Sequence, residues 1–359
     1  MIPASDRVQL DSLTSMRFVA AAMVLAHHAF SLLMPGSEAA RLTDTGFVGV
    51  GFFFTLSGFI LMWTFNPALP VSKFYGRRIA RLTPLHYSTA LVAAVYILFT
   101  TQTLPLWPSL ANLGLIQAWI PIDGYGSSLN PVSWSLSCEA FFYLCFPYLA
   151  RRALRWNLGL AAIGISVALV AVAAICLTWL PQYAAVQVLY QNPLYRMGGF
   201  TLGVLLAIAM KRGFAPRISL PVALALCGVA YVLALNAIPV AMSFGWPPAR
   251  VYGDLIFLPA VLVLIAAAAR ADLNRGFGLF RHRWLVALGE ASFALYMIHY
   301  LMLQIFVTLW GDPSARPGVY AVVGGFCVVA VVLSLVVYRW FERPAESKLR
   351  ARIGTVSPR

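Results

Sequence analysis

The chain has 359 residues, of which 61% are hydrophobic and only 11% are charged. Soluble domains carry charge on roughly 25% of their residues, so this composition excludes an ordinary soluble protein and predicts repeated membrane crossing. The formal net charge of +14 is explained by membrane topology better than by nucleic acid binding, and we expect no nucleic acid partner. The five cysteines show no Cys-x-x-Cys or Cys/His spacing, which disfavours a metal site or a disulfide framework.

Hydropathy divides the chain into about ten apolar spans and predicts an all-α polytopic membrane protein. The predicted spans are residues 13–34, 46–66, 85–104, 132–150, 157–180, 192–211, 219–237, 252–270, 285–309 and 318–341. No internal repeat stands out. We therefore predict a single transmembrane domain over residues 1–341, followed by a basic, solvated cytoplasmic tail over residues 342–359.

The positive residues indicate the orientation of these spans. If the N-terminus is cytoplasmic, most of the 26 Lys and Arg residues lie on the cytoplasmic side, and the outer loops hold only Arg41, Arg250 and Arg316. The positive-inside rule then predicts that both termini are cytoplasmic. No cleavable signal pattern precedes the first span, which we expect to remain in a multi-pass protein of the plasma or inner membrane.

The first predicted span contains three ionisable residues, Arg17, His27 and His28. Ionisable groups in a span are costly and indicate a functional site. Arg17 and His28 are eleven residues apart, which returns them to nearly the same helix face, about 16 Å apart along the axis. An anionic carrier could lie along this face, with its phosphates at Arg17 and its reactive atom at His28. Alternatively, Arg17 anchors the span at the surface and His28 hydrogen-bonds a neighbouring helix.

A basic cluster leads into the third predicted span. Arg78 and Arg81 are three residues apart and therefore share a helix face. Paired guanidinium groups suit bidentate binding of phosphate. The alternatives are an ordinary cytoplasmic anchor or a patch that binds anionic lipid.

A single carboxylate lies in the fourth predicted span, in the sequence Trp134-Ser-Leu-Ser-Cys-Glu139. A lone carboxylate in hydrocarbon is protonated or paired. Counting residues from the outer helix ends places Glu139 and His28 at similar depths of about 9–10 Å, so the two side chains could meet. The carboxylate would then orient and charge the imidazole, which makes it a better base. Alternatively, Glu139 is a structural hydrogen-bonding group between helices.

Two further sets of polar residues occur in predicted spans. Ser292, Tyr296 and His299 share one helix face, and His299 is expected near mid-membrane, where it either contacts substrate, tunes His28 or packs between helices. Ser57 lies in a glycine-rich stretch that permits close helix approach. No Gly-x-Ser-x-Gly elbow is present, which disfavours Ser57 as a covalent nucleophile.

Two connecting segments complete the prediction. Loop 105–131 is expected to face outward, and its aromatic residues Trp107, Trp119 and Tyr125 are either interfacial anchors or a platform on which a sugar stacks. The sequence Arg343-Pro344 predicts a helix stop at the end of the last span.

Taken in order, these motifs resemble those of the membrane acyltransferase-3 family. The motifs are Arg17-x10-His28, Gly51-Phe-Phe-Phe-x-x-Ser57-Gly-Phe59, Phe74-x-x-x-Arg78-x-x-Arg81-x-x-Pro84, Trp134-Ser-Leu-x-x-Glu139-x-x-Phe-Tyr143 and Ser292-x-x-x-Tyr296-x-x-His299. Each motif alone is weak, but the ordered set is specific and the resemblance covers nearly the whole chain.

The resemblance implies a ten-helix membrane enzyme that moves an acyl group, commonly acetyl, from cytoplasmic acyl-coenzyme A to a hydroxyl. It implies no permanently bound cofactor; acetyl-coenzyme A or another acyl-coenzyme A is the donor substrate. The implied acceptor is a carbohydrate of the cell envelope or a lipid-linked sugar, and the alternative is a secondary metabolite such as a macrolide. Many relatives carry an extra C-terminal hydrolase-like domain, which this sequence is expected to lack.

The resemblance also implies residue roles. His28 is the implied catalytic histidine, and Arg17, Arg78, Arg81 and Glu139 fall on the matching motifs. We expect the three arginines to bind the donor and Glu139 to assist His28 as general base. The expected substrate-contacting or supporting residues are Ser57, Trp134, Tyr296 and His299.

Mechanistic and functional alternatives stay open at this point. Direct transfer to the acceptor and a route through an acyl-histidine are both consistent with the motifs. A transporter of an anionic or lipid-linked sugar would use Arg17 and His28 as a relay, but transporters usually show two-fold internal repeats. A binding scaffold leaves the buried charges unexplained.

Overall fold

A computed structural model of the chain describes residues 10–214, 216–243, 253–274, 278–311 and 318–355. All regular secondary structure in these ranges is helical, and nine helical segments among them are long and apolar enough to cross a membrane. The chain is therefore an all-α polytopic membrane protein, as the hydropathy predicts. The orientation of the termini stays a prediction.

Fifteen α-helices are present in the described ranges. They are α1 (Asp11–Leu33), α2 (Glu38–Thr43), α3 (Val48–Trp63), α4 (Val71–Thr101), α5 (Leu106–Leu113), α6 (Trp134–Ala153), α7 (Leu158–Trp179), α8 (Gln182–Val186), α9 (Pro193–Lys211), α10 (Leu220–Ser243), α11 (Gly253–Leu273), α12 (Arg283–Glu290), α13 (Ser292–Trp310), α14 (Val319–Val337) and α15 (Arg343–Thr355). The predicted fourth span corresponds to α6, which is outside the nine apolar segments. The predicted ninth span is divided at Ala291 into α12 and α13.

The helices form two compact units. The first unit takes the described residues of 1–23, 44–65 and 148–290, and the second takes those of 24–43, 66–147 and 291–359. Both units are discontinuous in sequence, and α1 contributes residues to each of them.

In the first unit, α3 and α9 approach each other through glycines. A Cβ atom added at Gly58 would lie 2.0 Å from the carbonyl oxygen of Phe200, and one added at Gly203 would lie 2.0 Å from the carbonyl oxygen of Thr55. Neither glycine has room for a side chain, because the obstacle in both cases is backbone. Small residues at such contacts let membrane helices pack closely, as the glycine-rich stretch around Ser57 predicts.

Filling this contact is expected to destabilise the first unit. Gly203→Ala forces α3 and α9 apart, and overpacking of this kind typically costs about 1–3 kcal/mol. Thermal unfolding in detergent micelles should therefore occur at a lower temperature. Gly164→Ala is the matched control, because nothing lies within 4 Å of a Cβ at that position of α7. Unfolding of Gly203→Ala at the wild-type temperature would contradict the close packing.

In the second unit, α4 is longer than the third predicted span. The helix runs for 31 residues from Val71 and continues through Pro84, whereas the prediction begins at residue 85. At 1.5 Å per residue it measures about 46 Å, compared with a hydrocarbon thickness of about 30 Å. It is therefore long enough to span the membrane and still carry Arg78 and Arg81 within the same helix.

The end of the chain differs from the sequence prediction. The helix does not stop at Arg343-Pro344: a π-helical turn at Tyr338–Glu342 leads directly into α15. Pro344 lies in the first turn of α15, where a missing backbone N–H is tolerated. The residues from 342 onward were predicted to form a solvated tail, and most described side chains of α15 are exposed. Glu342, however, is only 1% exposed, and α15 packs against α4. The described part of this segment is thus a docked helix.

Candidate active site

The two adjacent histidines of α1 have different surroundings. His27 is buried, and its Nδ1 lies 3.2 Å from the carbonyl oxygen of Thr43. Because a carbonyl oxygen only accepts, Nδ1 of His27 donates this hydrogen bond. His28 is partly buried, and its ring centroid lies 5.0 Å from that of His27. The two side chains therefore make different contacts, although they are neighbours in sequence.

His28 forms a direct contact with His299 of α13. Nδ1 of His28 lies 2.9 Å from Nε2 of His299, and the two rings meet edge to edge, with centroids 5.1 Å apart and planes inclined by 24°. His299 is fully buried, and its Nδ1 lies 3.0 Å from the carbonyl oxygen of Leu295. The rings of His28 and Tyr300 pack edge to face, with their centroids 4.9 Å apart. The structure thus brings together two of the residues that the sequence analysis selected from opposite ends of the chain.

Polar contacts attach α13 to the segment before α6. The hydroxyl of Tyr296 donates to the carbonyl oxygen of Val132 at 3.0 Å, and the side chain of Asn130 donates to the carbonyl oxygen of Met297 at 2.8 Å. Both bonds are buried, and Tyr296 lies one helical turn before His299. Tyr296 therefore fixes the helix that carries His299 against this segment, and its supporting role in the reaction stays a prediction. Asn130 was missed in the sequence because an asparagine in a loop carries no distinctive pattern.

Arg78 lies between aromatic rings. Its guanidinium carbon is 5.7 Å from the ring centroid of Phe74 and 5.6 Å from that of Tyr143. The hydroxyl of Tyr143 hydrogen-bonds the side chain of Glu139, one turn earlier in α6. Cation–π contacts hold the guanidinium group in place. Its buried Nε has no hydrogen-bond partner, and no carboxylate pairs with Arg78 in the part of the chain that the structure describes.

Arg81 has different partners, although it lies one turn after Arg78. Its Nη1 is 2.5 Å from Oε1 of Glu342 and 3.1 Å from Oε2 of Glu346. Its guanidinium carbon also lies 5.1 Å from the ring centroid of Phe293. Two carboxylates thus balance its charge and attach α15 to α4. These two carboxylates were not predicted as partners of Arg81, although acidic residues at i and i+4 in a basic segment were a usable signal.

Removal of the Arg81 charge is expected to lower stability. Arg81→Gln leaves the Glu342 carboxylate, 1% exposed, without this cation, and breaking a buried ion pair typically costs about 3–5 kcal/mol. Thermal unfolding in micelles measures the loss. Arg81→Leu combined with Glu342→Leu should recover part of it, because no charge is then buried. A wild-type unfolding temperature for Arg81→Gln would contradict a structural role.

The remaining selected residues are placed as follows. Arg17 and Ser57 belong to the first unit and are partly buried. Trp134 is buried at the start of α6. Glu139 contacts Tyr143, whose ring also contacts Arg78. The expected contact of Glu139 with His28 stays a prediction. Among the described residues, no group of three His, Cys, Asp or Glu side chains is arranged to hold a metal ion.

A buried ion pair in the first unit was not selected from the sequence. Arg196 of α9 pairs with Asp254 of α11, and its Nε donates to the carbonyl oxygen of Tyr190 at 2.6 Å. The pair lines a small cavity with Gly51 and Thr55. Arg196 lies inside the sixth predicted span, which was the available signal. The pair joins helices that are distant in sequence.

Comparison with known proteins shows the following similarities. A family model described as "Acyltransferase domain" matches residues 10–339. Acyltransferase MdmB from Streptomyces mycarofaciens is 31% identical over 98% of this chain and 94% of its own length. Peptidoglycan O-acetyltransferase OatA from Listeria monocytogenes and putative peptidoglycan O-acetyltransferase YrhL from Bacillus subtilis are each 24% identical over 84% of this chain. The chain spans about half the length of these two, 50% and 51%. No solved structure matches it.

Proposed function

Because the chain belongs to the acyltransferase-3 family, matched over residues 10–339, we propose that it transfers an acyl group from acyl-coenzyme A to a carbohydrate hydroxyl. That the chain is an O-acyltransferase with several membrane helices follows from the family, its relatives and the fold. The donor, the acceptor, the reacting residues and a location in the plasma or inner membrane are the proposed parts. The observation that carries the proposal is the contact between His28 and His299.

The proposed chemistry is general base catalysis by His28. Histidine is suited to this role because the pKa of an unperturbed imidazole lies near neutral pH. His28 takes the proton of the acceptor hydroxyl, whose oxygen bonds to the thioester carbonyl carbon. The carbon–sulfur bond then breaks, and the coenzyme A thiolate takes the proton from His28. We propose that Glu139 assists through the negative charge of its carboxylate, which the hydroxyl of Tyr143 holds in place, and not through a hydrogen bond to His28.

We propose that the donor phosphates bind first of all to Arg78. Its guanidinium group is held by two aromatic rings, and its buried Nε donor is unused by the described protein. A guanidinium group suits phosphate because it offers several N–H donors in a planar fork. Arg81 is less suited, because two carboxylates already engage it. Arg17 is the further donor-binding residue that we propose.

A carbohydrate of the cell envelope is the acceptor that we favour. Two relatives are named as peptidoglycan O-acetyltransferase and putative peptidoglycan O-acetyltransferase. These names indicate acetyl as the transferred group and a cell-envelope carbohydrate as the acceptor class in those relatives. Because the chain covers only about half of each, the acceptor itself is part of the proposal rather than of the family assignment.

The most extensive of these matches is to a relative that is not named as a peptidoglycan enzyme. Acyltransferase MdmB aligns over 94% of its own length and shares more identical residues with this chain. Its name states no acceptor. The alternative acceptor is the one that the family resemblance also implies, a hydroxyl of a secondary metabolite such as a macrolide.

Incubation with a labelled donor tests the proposed function. Membranes that contain the protein are supplied with acetyl-labelled acetyl-coenzyme A and with either a peptidoglycan fragment or a macrolide. We expect an alkali-labile ester in one of the two acceptors, and membranes with His28→Ala provide the background. Label that crosses the membrane without forming a covalent product would instead identify a transporter.

A further inference from the structure

We propose that His299 is a positioning residue that holds the proton of His28 on Nδ1, so that Nε2 of His28 takes the acceptor proton. This inference rests on the proposed acyl transfer. Beyond that function, it identifies Nε2 as the reacting atom of His28 and His299 as the side chain that determines this. A chain of hydrogen bonds that begins at the backbone of α13 determines the proton position.

The first step assigns a proton to His299. Its Nδ1 lies 3.0 Å from the carbonyl oxygen of Leu295, which is one turn earlier in the same helix. A carbonyl oxygen has no proton to donate, so Nδ1 of His299 must be the donor. The backbone of a helix thus fixes the location of one proton.

The second step concerns the other nitrogen of His299. The side chain is 0% exposed, and a ring with both nitrogens protonated would carry a charge that is costly in an apolar interior. The neutral ring has one proton, already placed on Nδ1. Nε2 of His299 is therefore a hydrogen-bond acceptor.

The third step transfers this assignment to His28. Nδ1 of His28 lies 2.9 Å from Nε2 of His299, and two bare nitrogens cannot form a hydrogen bond. Nδ1 of His28 must donate, which leaves the lone pair of the neutral ring on Nε2. The rings of His27 and Tyr300, with centroids 5.0 and 4.9 Å away, restrict reorientation of His28.

The consequence is a defined direction for proton transfer. The acceptor proton moves to Nε2 of His28 as the new carbon–oxygen bond forms, and it later leaves from Nε2 to the coenzyme A sulfur. His299 takes up no proton and touches no substrate in this scheme. It acts as the residue behind a catalytic imidazole does in other enzymes, by selecting its tautomer and orientation.

Two substitutions at residue 299 separate this role from simple packing. His299→Gln places an amide oxygen within reach of Nδ1 of His28 and restores the acceptor, whereas His299→Leu fills space without one. We expect His299→Leu to lower kcat by about 10- to 100-fold, the loss that is typical when the residue orienting a metal-bound imidazole is removed. The KM values of donor and acceptor should change little, and His299→Gln should recover most of kcat. Equal losses in both variants would overturn the proposal.

A spectroscopic measurement tests the tautomer without relying on activity. In protein labelled with ¹⁵N-histidine, ring nitrogen chemical shifts distinguish protonated from bare nitrogens, and His28→Asn identifies the His28 signals. We expect protonated Nδ1 and bare Nε2 in the wild type at neutral pH. A proton on Nε2 of neutral His28 would overturn the inference even if transfer occurs. Absence of transfer with the expected signals would instead refute the proposed function alone. If His299→Leu does not fold, the tautomer seen in the wild-type spectrum and the kcat of His299→Gln still test the proposal.

Discussion

Replacement of His28 with alanine is expected to reduce acyl transfer by about 100- to 10 000-fold, the range that general acid–base catalysis contributes. The loss should appear in kcat, because the variant still binds both substrates but has no group to take the acceptor proton. The rate of ester formation from labelled acetyl-coenzyme A measures it. Thermal unfolding in micelles should show that the variant is folded.

His27 supplies the matched control for this experiment. It is adjacent in α1, equally aromatic and more deeply buried, but its Nδ1 donates to the carbonyl oxygen of Thr43. In His27→Asn the amide nitrogen can replace that donor, so transfer should stay within a few-fold of wild type. If both variants lose transfer equally, the effect is structural. If His28→Ala turns over at the wild-type rate, His28 is not the base.

Replacement of Arg78 with glutamine is expected to raise the KM of acyl-coenzyme A by about 10- to 100-fold. Hydrogen bonds to charged groups contribute about 1.5–3 kcal/mol, and each 1.4 kcal/mol corresponds to about a factor of ten in affinity. The KM of the acceptor should change little, because the lost contacts involve the donor phosphates. Initial rates at varied donor and fixed acceptor concentrations measure the effect.

Two neighbouring arginines make this experiment specific. Arg77 is exposed, so Arg77→Gln removes the same charge from the same helix and should leave the donor KM near its wild-type value. Arg81→Gln should act mainly on stability, through its lost ion pairs with Glu342 and Glu346. A donor KM that rises equally in all three variants would indicate only a general effect of positive charge on an anionic substrate. An unchanged KM in Arg78→Gln would exclude a phosphate contact.

Local patterns in the sequence predict most of the helical fold. Apolar runs identify the spans because every backbone polar group must be satisfied within hydrocarbon, and a helix does this within one segment. The close approach of α3 and α9 also follows from its glycines, since only a residue without Cβ fits where Gly58 meets the Phe200 carbonyl. Both predictions use only residues that are near each other in sequence, and they do not identify α9 as the helix that the glycines of α3 meet.

The contacts of the candidate site are less accessible to sequence analysis. Helical spacing places Tyr296 and His299 on one face of α13, but it does not specify which helix that face meets. The pairing of His299 with His28 joins residues 271 positions apart, and only tertiary packing determines it. The same holds for Arg81. Its spacing from Arg78 suggests equal roles, yet Glu342 of the π-helical turn and Glu346 of α15 supply carboxylates to Arg81 alone.

The helix stop predicted at Arg343-Pro344 was wrong for a simpler reason. Arg343-Pro344 suggested a stop, because proline cannot donate to the preceding helical turn. After the π-helical turn at Tyr338–Glu342, Pro344 instead lies in the first turn of a new helix, where no such bond is required. The acidic residue before it, Glu342, is then buried against α4 rather than solvated.

The most direct test of the account follows donor and product together. Purified protein is mixed with acetyl-labelled acetyl-coenzyme A, with and without a hydroxyl-bearing carbohydrate, and both free coenzyme A thiol and alkali-labile ester are quantified over time. Direct transfer to the acceptor predicts that thiol and ester appear in equal amounts and only when the carbohydrate is present; a single stoichiometric burst of thiol without it would indicate the acyl-enzyme route. If the thioester stays intact with every hydroxyl acceptor supplied, this chain does not use acyl-coenzyme A as its donor.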